Sequence, residues 1–169
     1  MTLSDDHHEI TALLCAYCDL LDDGDLDGCA RLFESGACGV DGDLASGMAA
    51  VRAVLSNVTL YNGVPNTRHL TSNVLINVSV DGLSATVRSC ITVMQCVPGD
   101  FPMQAIFIGT YHDLLSKHDD RWAFQERKII PNLVGQRRRE ERGRRAQPQL
   151  RRTALPRGVR AHILWPAGP

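Results

Sequence analysis

The sequence has no apolar run approaching the length of a membrane-spanning helix. It also has no basic segment followed by an apolar one at its start, where Ser4, Asp5, Asp6, His7 and His8 stand instead. The first absence argues against a membrane protein and the second against a secretory signal, so a cytoplasmic protein is expected. Paired metal-ligand spacing is missing as well. Cys15 and Cys18 do make a C-x-x-C spacing, but it lies inside a helical pattern, has no second ligand pair and follows no strand. That excludes a zinc or thioredoxin-like site, and Cys15, Cys18, Cys29, Cys38, Cys90 and Cys96 are read as buried reduced thiols. No metal is expected.

Net charge is nearly absent too, at −1, but this hides a division. Residues 1–136 carry 8 Lys and Arg against 17 Asp and Glu, and residues 137–169 carry 10 against 2. The chain therefore reads as one acidic domain, 1–136, followed by a basic, Arg- and Pro-rich extension, 137–169, whose lack of periodicity predicts disorder. Arginine runs bind phosphates, yet no aromatic residues interleave with these ones and Trp165 stands by itself, so the extension is read as solvated and no nucleic-acid partner is expected.

What is present begins with a helix. Ile10, Leu13, Leu14, Tyr17, Leu20 and Leu21 recur at three- and four-residue spacing, which puts them on one face of a helix ending near Asp22. Gly24 suits the left-handed residue that ends it, and Asp25 caps a second helix running to about Phe33. Ala37 to Val40 reads as a short strand before the Asp41-Gly42 turn, and residues 47–58 return to helical spacing. From Thr67 the texture is β: Leu70 to Val80, Leu83 to Val97, Met103 to Leu115 and Arg121 to Ile130, separated by turn signals of which Asp81-Gly82 is the strongest. Helices first and hairpin-ordered strands later predict an α+β domain, with the helices packed on a strongly curved, mainly antiparallel sheet.

Tyr17 with Asp22 and Gly24-Asp25, Leu32-Phe33, Thr67-Arg68-His69 with Asn73, Gly109-Thr110-Tyr111-His112-Asp113, and Trp122-Ala123-Phe124 with Arg127 together resemble the SnoaL-like branch of the nuclear transport factor two superfamily. The resemblance spans about residues 5 to 133. It implies a cone-shaped α+β barrel with one deep apolar cavity. It also implies similarity to scytalone dehydratase, lindane dehydrochlorinase and bile acid dehydratase, whose aspartate and histidine pair falls on Asp22 and His69. The tyrosine of the bile acid enzyme falls on Tyr17, and the arginine of the dehydrochlorinase on Arg127.

Those residue types suit proton removal. A neutral imidazole accepts a proton near neutral pH, and a carboxylate on its other nitrogen fixes the tautomer and stabilises the imidazolium. Tyr17 could then hold a carbonyl oxygen as charge builds on it. With a leaving group the result is elimination, and without one isomerisation. Neither calls for a cofactor, and none is expected. The substrate is expected to be a cyclic or polyketide-like small molecule, with Arg127, Tyr111 and Asn73 lining its site. Asp25 is the second choice for the acid, and Arg127 has the alternative of an ion pair with Asp22, Asp23 or Asp25. A binding protein without turnover and a structural subunit of the dioxygenase kind are the other function classes.

One pattern opposes the site. Leu70, Val74, Ile76, Val78 and Val80 share one parity along their strand, while His69 falls with Thr71, Asn73 and Asn77 on the other. Either a β-bulge near Ser72 switches the parity, or the apolar set is covered by another subunit. The second possibility leads to an expected homo-oligomer, a trimer ahead of a dimer.

Overall fold

The computed structural model describes residues 2–135. The basic extension 137–169, with its expected disorder, lies outside the described residues. Helix α1 spans Leu3–Asp22, and Thr2 and Asp5 close a capping box at its start. Its buried stripe is Ile10, Leu14, Tyr17, Cys18 and Leu21, with Asp22 buried at its end. Gly24 terminates the turn with φ +78°, and a Cβ there would collide with the carbonyl oxygen of Gly63. That contact brings the loop before the long strands against the helix corner. Helix α2, Leu26–Arg31, is capped by the Asp25 side chain, which accepts from the Gly28 N–H at 2.7 Å. Helix α3, Gly47–Leu55, buries Val51 and Leu55.

The strands are β1 Ala37–Val40, β2 Asp43–Ser46, β3 Thr67–Val78, β4 Ser84–Val97, β5 Phe101–His118 and β6 Arg121–Val134. They form one sheet in the order β2-β1-β6-β5-β4-β3. The meander β3 to β6 is antiparallel, as expected from the turn signals, whereas β1 joins β6 in parallel. Strand β2, Asp43–Ser46, was not anticipated, since four residues show no periodicity of their own. Strand β6 continues through Pro131 to Val134, beyond the expected end at Ile130.

The helices cover one face of this sheet. Phe33, Ile91, Leu115, Phe124 and the α1 stripe make the closed core, each side chain contributing about 1.5–3 kcal/mol by burial. The α1 start is fastened to the far hairpin by Asp6, whose carboxylate accepts from Lys117 Nζ at 2.6 Å and Trp122 Nε1 at 3.0 Å. The cysteine expectation is corrected in part: Cys18, Cys29 and Cys38 are buried, but Cys15 and Cys96 are exposed and Cys90 is half-buried, all as free thiols. Among the described residues no helix is long and apolar enough to cross a membrane.

Two irregularities decide which side chains face the helices. In β3 the register slips between Ser72 and Leu75, where Asn73 has φ +50°. Before the slip Thr67, His69 and Thr71 turn toward α1, and after it Ile76 and Val78 pack on the core. In β6 the extra residue is Gln125, so that Trp122 and Phe124 face inward before it and Arg127 and Ile129 after it.

Candidate active site

Asp22 ends α1 directly over the beginning of β3. Because β3 is the outermost strand, the backbone N–H of His69 is directed to the open edge, and Asp22 Oδ2 accepts it at 2.7 Å. The other oxygen, Oδ1, lies 2.6 Å from His69 Nδ1 and 2.6 Å from the Thr67 hydroxyl. Thr67 and His69, two positions apart on one strand, thus reach the same carboxylate from the same face. Both Asp22 and His69 side chains are 3% exposed. Burial by itself would raise the Asp22 carboxyl, but the hydrogen bond and charge of His69, with Thr67 and the His69 N–H, hold it below the ordinary carboxylate value. An ionised carboxylate only accepts, so Nδ1 carries the proton toward Asp22, and in the neutral ring the lone pair is then on Nε2. Nε2 has no hydrogen-bond partner among the described residues. Across the sheet the register sets Val93 and then Phe107 beside His69, both buried, which makes the surroundings apolar.

Arg127 is fully buried and does not pair with Asp22, Asp23 or Asp25. It donates through Nε and Nη2 to Asp113 at 2.8 and 2.7 Å. Its guanidinium carbon lies 4.2–4.4 Å from the ring centres of Tyr17, Tyr111 and Phe124. Burial works against the charge, but Asp113 outweighs it and keeps the guanidinium protonated. Arg127 therefore does not compete with His69 for Asp22. Nη1 of Arg127 and the hydroxyl of Ser89 are buried without a hydrogen-bond partner among the described residues. Asp113 is a site residue that sequence reasoning gave no role; the available signal was a charge at an inward position of a strand whose Phe107, Tyr111 and Leu115 are buried.

Tyr17 is buried in the core. Its ring meets Phe33, Tyr111 and Phe124 edge-on, the Cys38 thiol lies beside its hydroxyl, and burial pushes its pKa far up. Tyr111 is buried in the same cluster. Asn73 sits at the β3 bulge, about 13 Å along the strand from His69, and its amide meets the Cys90 sulfur at 3.7 Å. Asp25, the alternative acid, is engaged as the α2 cap and lies 3.8 Å from Arg31. An open hollow of about 410 Å³ is formed by the β4–β5 turn, residues 96–102, and contains neither member of the pair. Among the described residues no three His, Cys, Asp or Glu side chains gather as metal ligands.

Helices laid on a curved, mostly antiparallel sheet, with a polar pair at the open edge, define an α+β fold of the nuclear transport factor two kind. The chain belongs to the SnoaL-like domain family, whose profile matches residues 2–128. No curated protein matches it. Among solved structures it is similar to an Asp-to-Asn variant of Rv3472, a protein of unknown function from Mycobacterium tuberculosis. The identity is 29% and the TM-score 0.63, over 75% of this chain and 76% of that one. A scytalone dehydratase candidate from Novosphingobium aromaticivorans shares 24% identity and a TM-score of 0.65 over 89% of this chain and 100% of that one. The β subunit of a candidate aromatic-ring-hydroxylating dioxygenase from the same organism shares 18% identity and a TM-score of 0.62 over 76% and 90%. At these identities the last two show the fold.

Proposed function

We propose that this protein is a cofactor-free lyase or isomerase of the dehydratase kind, in which His69 removes a proton from a cyclic or polyketide-like small molecule and Asp22 orients it. The observation that carries the reading is the buried 2.6 Å contact between His69 Nδ1 and Asp22 Oδ1, which leaves Nε2 as the basic atom. A carboxylate in this place stabilises the imidazolium as it forms, and the apolar neighbours Val93 and Phe107 strengthen that interaction. The charge of Arg127 is already balanced by Asp113, so a neutral ketone or hydroxy-ketone suits the interior better than a carboxylate, and Nη1 can donate to its oxygen. Tyr111 supplies apolar lining in this reading. The protein acts in the cytoplasm, and the exposed apolar side chains Leu70, Val74, Leu75 and Leu114 on the outer sheet face are covered in a homo-oligomer, a trimer ahead of a dimer.

The test is deuterium exchange into a panel of cyclic ketones and hydroxy-ketones, which reports proton removal even when the leaving group is unknown. The wild type should exchange them, and His69→Gln should lose roughly 10²–10⁴-fold. Equal exchange by both proteins, with a ligand still bound tightly, would replace the enzyme by a binding protein of the same fold.

A further inference from the structure

Asp22 Oδ1 receives two donors, the His69 ring and the Thr67 hydroxyl, each at 2.6 Å. One oxygen thus serves both the orientation of the imidazole and the anchoring of the carboxylate. We infer that Thr67 is a positioning residue of the pair: its hydroxyl fixes the Asp22 carboxylate and weakens the pull of Oδ1 on the imidazole proton. The inference rests on the proposed role of the pair.

Thr67 bears on the strength of His69 as a base through the Asp22 carboxylate. A bare buried carboxylate would favour imidazolium strongly, and a histidine held as imidazolium cannot accept a proton. Every further donor to the carboxylate disperses its charge and lessens that preference. Thr67 is placed to do this without displacing His69, because both side chains leave the same strand face and the His69 N–H between them fixes the second oxygen at 2.7 Å. The carboxylate is consequently held at three points and cannot rotate away from the ring. Thr67 also lowers the Asp22 pKa, in the direction this geometry requires.

The other groups around the carboxylate are few. Arg68 Nη1 is 3.8 Å from Oδ2 on a side chain that is 68% exposed, and Cys18 stands one turn earlier on α1, its sulfur 3.5 Å from the Thr71 hydroxyl. Asp23 and Asp25 follow at the helix corner. From β4 the register brings Gln95 opposite Thr67 and Val93 opposite His69, neither of them charged. The variants below leave all of these in place.

The experiment follows the His69 ring nitrogens by NMR on selectively labelled full-length protein across pH. It compares the wild type with Thr67→Val, Thr67→Ser and Asp22→Asn. Thr67→Val keeps the shape of the side chain and removes the donor, so the His69 titration midpoint should rise by about one pH unit. Thr67→Ser restores the hydroxyl and should return the midpoint to the wild-type position. Asp22→Asn removes the carboxylate and should lower it. If Asp22→Asn moves the midpoint and Thr67→Val does not, the role given to Thr67 is wrong while the pair stands. If Asp22→Asn also leaves it unmoved, the pair itself fails and the proposal falls with it.

Discussion

Arg127 and Asp113 form a two-bonded ion pair enclosed by Tyr17, Tyr111 and Phe124, on neighbouring strands and with both side chains almost without solvent exposure. Such a pair is well matched while both charges are present, and removing one strands the other in an apolar setting. Asp113→Asn should therefore cost roughly 3–5 kcal/mol, read from the denaturant midpoint at constant m-value. A loss below about 1 kcal/mol, the range of exposed pairs, would mean that Arg127 finds a second partner.

The proposed pair makes a prediction about additivity. His69→Gln and Asp22→Asn should each reduce exchange by orders of magnitude, and the double variant should be little worse than either, because residues acting as a unit do not add. Tyr17→Phe, by contrast, should keep exchange within a few-fold, since the Tyr17 hydroxyl lies beside Cys38 in the core. A deep loss of exchange in Tyr17→Phe with unchanged thermal stability would return the tyrosine to the chemistry.

Stability should fall in acid through Asp22. Its carboxyl is held below the ordinary value of 3.8 in the folded protein, so the folded state favours the ionised form. The contribution is complete above the unfolded value and is lost as pH falls through the lower folded one. Urea midpoints taken from pH 6 downward should drop below about pH 4, and Asp22→Asn should flatten that part of the curve. An identical slope in the variant would assign the acid sensitivity to other carboxylates.

The bulge at Asn73 offers a backbone test. Its φ of +50° is tolerated by asparagine and glycine but costs about 1–2 kcal/mol for most other residues, and more for a β-branched one. Asn73→Gly should be nearly neutral and Asn73→Val destabilising by that amount or more. Deleting the residue is more severe, since it would turn Ile76 and Val78 out of the core and expose them. Recovery of a stable, soluble deletion variant would show that the strand can take the other register.

Leu70, Leu75 and Leu133 are 54%, 56% and 56% exposed in the single chain. Sedimentation at micromolar concentration should give a homo-oligomer, and Leu70→Lys with Leu75→Lys should shift it toward monomer without unfolding it. A wild-type monomer would leave that face for water.

The sequence by itself determined the order of elements and their class. Period-3.6 stripes before Thr67 and period-2 strands after it can be read because each is a local consequence of which side chains must meet the core. It also brought Asp22 and His69 forward as a pair, through the resemblance of the ordered motifs and not through pattern, which argued against His69. The tertiary structure decided the rest. The bulges at Asn73 and Gln125 turn His69 and Arg127 inward, and a bulge exists only relative to the register of a neighbouring strand. The partner of Arg127 depended on β5 lying beside β6, and the three donors on Asp22 depended on α1 ending over the open edge of β3. Those are long-range adjacencies, set by how the helices and the sheet share one core, and no local window of sequence contains them.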